Sequence, residues 1–117
     1  MNQVNQQRNP VLLVHGIWDT CRVFRRMASF LNEAGWKVYD LDLVPNDGTK
    51  GLDDLAQQVS NKVETTFGVE QPFDLVGFSM GGIVSRYYLQ RLGGINRVRR
   101  FISLSAPSHG TRIAYFN

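Results

Sequence analysis

Cysteine, long apolar runs and late acidic residues are all scarce in this sequence of 117 residues. Its single cysteine, Cys21, cannot form a disulfide within the chain, so cysteine usage does not indicate a redox compartment. No apolar run approaches the roughly 18 residues that span a bilayer, which predicts a chain without a transmembrane segment. The first nine residues are polar and lack the apolar region of a signal peptide. We therefore expect a cytoplasmic chain.

Acidic residues stop at Asp74. Residues 1–79 carry seven Lys or Arg and ten Asp or Glu, whereas residues 80–117 carry six arginines and no acid. Such a basic segment can attract nucleic acid or anionic lipid. No nucleic-acid-binding motif accompanies the arginines, so we interpret them as a solvated face and predict no nucleic-acid partner.

The hydrophobic pattern alternates between short apolar runs and amphipathic segments. With 43% hydrophobic and 20% charged residues, the composition is that of a globular protein and excludes disordered and collagen-like chains. We predict a polar tail over 1–9 and one domain over 10–117. Alternating strands and helices predict an α/β three-layer sandwich with a parallel sheet. The predicted strands are 11–14, 37–43, 73–78 and 100–105, and the predicted helices run from Thr20 to Gly35, over 52–67 and over 80–92.

The chemistry-bearing motif is G-x-S-x-G, formed by Gly77, Ser79 and Gly81. It lies directly after the third predicted strand and directly before the third predicted helix. A tight turn there exposes the serine hydroxyl and leaves no room for side chains two residues to either side. The helix that follows directs backbone N–H groups and its positive dipole end toward the reacting centre. This context predicts that Ser79 is a nucleophile.

A second turn, His15-Gly16-Ile17-Trp18, follows the first predicted strand. Acyl transfer needs two positioned donors for the developing oxyanion, commonly backbone N–H groups. We expect one from Met80, directly after the nucleophile, and one from this turn. We interpret His15 as part of the turn and not as the catalytic base.

Together, the segments 14–17, 76–82 and 105–111 resemble bacterial lipases and esterases of the α/β-hydrolase superfamily. The resemblance extends over about residues 10–112. It implies that Ser79 is the nucleophile and that Ile17 and Met80 supply the oxyanion N–H groups, with Trp18 as the alternative to Ile17. It also implies that the four strands lie in the spatial order second, first, third, fourth. A serine nucleophile in this superfamily implies acyl transfer from esters, thioesters or, less often, amides.

The surroundings of this predicted site suit a small-molecule or lipid ester substrate. Ile17, Trp18, Phe78 and Met80 would provide apolar walls. No metal-binding cluster or nucleotide-binding fingerprint accompanies the motif, so no metal and no cofactor is implied.

Two triad members are missing from the expected order of nucleophile, acid and histidine. No acid follows Ser79, and the one later histidine, His109, matches a loop-positioning histidine of the lipase pattern. We interpret Asp40 and Asp42 as loop or helix-cap residues. The apolar fourth strand would also be a bare sheet edge, which invites aggregation. We therefore expect a fold truncated after about four strands, with a C-terminal half missing.

Three functions remain open on the sequence alone. The first is a serine hydrolase of carboxylic esters, a lipase or esterase of lipid metabolism, inactive as this chain alone. The second is a non-catalytic remnant or binding module that keeps the fold without the chemistry. The third is an acyltransferase or thioesterase, which would use the same nucleophile on a different leaving group or acceptor.

Overall fold

A computed structural model describes residues 8–15, 21–44, 51–104 and 113–116. Strands and helices alternate as far as β4, which confirms the predicted α/β fold class. The elements in chain order are β1 (Val11–His15), α1 (Cys21–Glu33), β2 (Val38–Asp42), α2 (Leu52–Phe67), β3 (Phe73–Phe78), α3 (Met80–Arg91), a 3₁₀ helix (Gly94–Asn96), β4 (Val98–Leu104) and β5 (Ile113–Phe116).

The sheet has the order β2-β1-β3-β4-β5, and its first four strands are parallel. The implied order of these four strands is therefore confirmed. Since they are parallel, their last residues meet at one edge, here called the carboxyl edge: His15, Asp42, Phe78 and Leu104. The opposite edge, where these strands begin, is called the amino edge.

The expectation of a bare fourth strand is wrong. Residues Phe101 to Leu104 of β4 pair antiparallel with β5, so the described sheet has five strands and not four. The short run Ile-Ala-Tyr-Phe is β-prone, and its backbone supplies the hydrogen-bonding partners that the outer side of β4 needs. Sequence reasoning missed it because four residues are too few to show a clear period.

Two apolar clusters lie on opposite faces of the sheet and define the three layers. The larger cluster joins Leu12 and Leu75 of the central strands to Val59 of α2 and Val84 of α3. The smaller cluster joins Val11 and Leu13 to the partly buried side of α1. Because both faces of β1 are covered, all five of its residues are buried. The continuous apolar run over 11–14 predicts this for the first four.

The late arginines have specific structural contacts. Arg97 donates from Nη2 to the carbonyl oxygens of Gly68 and Gln71, at 2.8 and 3.2 Å, and lies over the Phe73 ring. Arg91 lies over the ring of Tyr87. None of the described helices combines the length and the apolar character of a membrane-spanning segment.

Candidate active site

Ser79 is the residue that separates β3 from α3. Its backbone has φ 55° and ψ −123°, and it is the non-glycine residue of the described segments with positive φ. Residues with a Cβ avoid this region for steric reasons, at a cost of about 1–3 kcal/mol. Such strain persists only where surrounding contacts hold it, so the turn is imposed by tertiary structure.

Two backbone hydrogen bonds hold the Ser79 turn. The N–H of Ser79 donates to the carbonyl of Leu104 at 2.6 Å, and the N–H of Gly82 donates to the carbonyl of Ser79 at 2.9 Å. The first bond attaches the turn to the end of β4, and the second attaches it to the first turn of α3. Ser79 therefore has its position set from both sides.

Three glycines allow the close backbone contacts around this turn. A Cβ at Gly77 would lie 2.5 Å from the Cα of Gly82, and a Cβ at Gly81 would collide with the carbonyl of Val14 in β1. A Cβ at Gly82 would collide with the Ser103 hydroxyl in β4. The sequence predicts a steric requirement at Gly77 and Gly81. It missed Gly82, because that requirement comes from a strand that follows later in the chain.

Met80 is the first residue of α3. Its N–H group therefore has no carbonyl acceptor within the helix. The positive end of the helix dipole lies at the same place. An N–H in this position can bind an oxyanion formed at Ser79. The proposed second donor, Ile17, lies outside the described residues, and so do its alternative, Trp18, and His109.

His15 and Asp42 meet at the carboxyl edge, each as the last residue of its strand. The Nδ1 atom of His15 lies 3.7 Å from Oδ1 of Asp42, which is an ion-pair distance and too long for a hydrogen bond. His15 is 5% exposed, whereas the Asp42 side chain is 74% exposed. The loop or cap interpretation of Asp42 did not include this contact. The parallel register of β1 and β2 was the signal that could have found it.

The described part of the carboxyl edge provides Ser79, the predicted nucleophile, and a helix start but no complete triad. No acid or histidine follows Ser79 within the described residues. No group of three or more His, Cys, Asp or Glu that could hold a metal ion occurs there either. The described residues can therefore position a nucleophile and help to bind an oxyanion.

Among the described residues, one carboxyl and one hydroxyl have shifted pKa values, and both lie away from Ser79. Burial raises the pKa of Asp74, partly offset by Arg100, and burial also raises the pKa of Tyr88. Asp74 lies near the start of β3, at the amino edge, and Tyr88 lies two turns into α3. Shifted pKa values often mark functional sites, but burial within the fold accounts for both of these shifts.

Comparison with known proteins identifies the family. Residues 10–115 match the family model for palmitoyl protein thioesterase. The chain belongs to the palmitoyl protein thioesterase family. It is 36% identical over 107 aligned residues to lysosomal thioesterase PPT2 of Homo sapiens, covering 86% of this chain and 34% of that protein. The match to PPT2 of Mus musculus has the same identity and coverage.

A more distant relative is palmitoyl-protein thioesterase 3 of Dictyostelium discoideum, 24% identical over 106 residues, covering 86% of this chain and 36% of that protein. The chain spans about a third of the length of the curated relatives it matches.

The family membership changes the interpretation of the sequence resemblance. The superfamily assignment holds, because thioesterases of this family are hydrolases of the α/β-hydrolase type. The narrower resemblance to bacterial lipases and esterases is not supported, because the matching family and relatives are thioesterases. Short motifs like those around Ser79 and His15 occur in acyl-transfer enzymes in general, so they did not separate these groups.

Proposed function

We propose that this chain supplies the nucleophile and the oxyanion-binding part of a thioester hydrolase, with Ser79 as the catalytic residue. The observation that carries the proposal is the positive φ of Ser79, held at a strand-to-helix turn in a chain of a thioesterase family. A strained serine at this position exposes its hydroxyl to substrate. A substrate can reach Ser79 along the exposed surface beside it, where Met80 is 38% and Ile83 is 59% exposed.

The proposed reaction has two steps. In the first, Ser79 Oγ attacks the thioester carbonyl carbon and a histidine base takes the hydroxyl proton. The oxyanion is bound by the N–H groups of Met80 and Ile17, and the C–S bond then breaks as the base returns the proton to the leaving thiol. In the second step, the base deprotonates water, which attacks the acyl-Ser79 ester. The carboxylic acid is released and the Ser79 hydroxyl is restored.

The base and its orienting acid are proposed to lie in the part of the relatives that this chain does not span. The chain matches about a third of the human protein, and the triad order places acid and histidine after the nucleophile. His109 is the alternative base within this chain. The lack of any acid after Asp74 supports the first choice, because His109 would have no later carboxylate in this chain to orient it.

A long-chain acyl group attached through sulfur to a protein is the substrate class that the relatives' names favour. Met80 and Ile83 lie one helical turn apart and present apolar surface next to Ser79, which suits an acyl chain. The names of the mammalian relatives also favour a lysosomal location over the cytoplasmic one expected from the N-terminal residues.

Other functions use the same residues. A carboxylic ester hydrolase or an acyltransferase would keep Ser79 and its oxyanion donors and change only the leaving group or the acceptor. A non-catalytic binding module is favoured by one observation, namely the lack of any acid after Asp74. Relative rates on sulfur and oxygen esters, and their dependence on Ser79, distinguish these functions.

The test compares cleavage of a long-chain acyl thioester and of the matching oxygen ester by the purified chain. With imidazole added as an external base, we expect faster cleavage of the thioester, lost in Ser79→Ala and retained in Ser29→Ala, an exposed serine of α1. Since the described residues after Ser79 offer no general base, added imidazole should raise the Ser79-dependent rate. Equal rates for the wild type and Ser79→Ala at every imidazole concentration would favour the non-catalytic module.

A further inference from the structure

A groove of about 500 Å³ opens at the amino edge, away from the Ser79 turn. Its volume is in the range of small-molecule sites. Two cationic side chains, Arg8 and Lys37, line it, and none of the other described residues in its lining is acidic. We propose that this groove binds the phosphate group of a phosphorylated ligand, with Arg8 and Lys37 as its contacts. The site is independent of any activity at Ser79.

Arg8 is held in place before a ligand arrives. Its guanidinium lies 5.1 Å from the centre of the Trp36 ring, and its Nη1 donates to the carbonyl of Ala34 just after α1. Gly35 makes room for it, because a Cβ there would lie 2.7 Å from Nη1. Gly35 also has φ 97°, which a larger residue would adopt only with strain. A positioned guanidinium loses less freedom when it binds an anion.

The other walls of the groove suit the remainder of such a ligand. Lys37 directly precedes β2, and Tyr39 lies two residues later and therefore on the same side of the strand. The rings of Tyr39 and Phe67 meet edge to face, with centres 5.3 Å apart, and form an apolar wall. Gln71 adds an amide to the lining. A phosphate could accept several hydrogen bonds from the two cations while an organic body lies against the rings.

A purely structural role is the competing explanation for Arg8. Helix α1 ends at the amino edge, where its carbonyl groups carry partial negative charge, and a cation there stabilises the helix. This accounts for the contact of Arg8 with Ala34. It does not require a second cation, Lys37, on the same groove. The decisive variant is therefore Lys37→Gln, which leaves the Arg8 contact in place.

The experiment is a titration of the isotope-labelled 117-residue chain with inorganic phosphate at constant ionic strength, followed by backbone amide shifts. We expect saturable shifts at Gly35, Lys37 and Gln71 that weaken as salt is raised. Lys37→Gln should weaken phosphate binding by about tenfold, as expected for the loss of one charged contact. Arg26→Gln, an exposed arginine of α1, is the matched control and should bind as the wild type does.

Vesicles of phosphatidylcholine with and without phosphatidic acid identify the source of the phosphate. If the wild type binds the acidic vesicles and Lys37→Gln does not, the ligand is a lipid headgroup. If the wild type is saturated by inorganic phosphate but does not bind the acidic vesicles, the ligand is soluble. Shifts that do not saturate, or equal losses in Lys37→Gln and Arg26→Gln, would overturn the site and leave a general charge effect. None of these results depends on Ser79, so the two proposals fail separately.

Discussion

The backbone N–H of Ser79 donates to the carbonyl of Leu104, so the proposed nucleophile is attached to the last residue of β4. The β4 strand in turn is held in the sheet by β3 on one side and β5 on the other. The strained turn and the pairing of these strands are therefore coupled. Loss of β4 pairing would release Ser79 from its positive φ.

Replacing Ser79 by glycine should stabilise the fold. Glycine adopts a positive φ without the steric cost that serine has, so Ser79→Gly is expected to raise the free energy of unfolding by about 1 kcal/mol. Ser79→Ala removes the hydroxyl but keeps the Cβ and should show no such gain. Urea unfolding of the two variants measures the difference. Equal stability of Ser79→Gly and Ser79→Ala would mean that the turn is unstrained.

Adding one methyl group at Gly81 should destabilise the fold strongly. Its Cβ would collide with the Val14 carbonyl, a backbone atom of β1 that cannot move without disturbing the sheet. We expect Gly81→Ala to lower the free energy of unfolding by about 3 kcal/mol. Gly51→Ala is the control, because it has open space around it and should cost no more than about 1 kcal/mol. Similar melting temperatures for both variants would contradict the tight α3–β1 contact.

The stability of the chain should depend on pH through Asp74. Burial raises the pKa of this carboxyl, so the native protein holds the proton more tightly than the unfolded chain. The stability that the protonated carboxyl contributes is present below its unfolded pKa and is lost as the pH rises through its native pKa. Asp74→Asn cannot ionise. Its stability relative to the wild type should therefore increase as the pH rises through that window.

The Asp74 prediction is measured by urea unfolding midpoints at several pH values. Asp40→Asn, an exposed aspartate on β2, is the control for the loss of one negative charge. If the stability difference between Asp74→Asn and the wild type stayed constant with pH, the buried carboxyl would have no role in the pH dependence.

Arg97 should contribute more to stability than its neighbour Arg99. Its Nη2 donates to the carbonyls of both Gly68 and Gln71 and so connects the end of α2 to the start of β3. Arg97→Gln removes both of these hydrogen bonds. We expect a loss of about 1–3 kcal/mol in the free energy of unfolding. Arg99→Gln removes an exposed charge and should change stability by about 0.5 kcal/mol or less. Thermal melts of the two variants decide whether the late arginines are a uniform solvated face.

Much of the fold could be predicted because its signals are local. The apolar run of β1, the spacing in α2 and the glycine after α2 each lie within one element. The motif around Ser79 could also be recognised in the sequence, since its glycines flank the turn. The strand order of the parallel sheet came from the family resemblance. The assignment to the family came from comparison of the whole segment, because the short motifs alone are shared more widely.

The remaining features needed the tertiary structure. Gly82 meets Ser103, and His15 meets Asp42, only because separate strands come together. Periodicity and glycine placement are properties of neighbouring residues, so the α/β class, the helices and the serine turn followed from the amino-acid order. The three-dimensional arrangement decided the strain at Ser79, the pairing of β5 with β4 and the cationic groove, since each depends on distances between residues far apart in the chain.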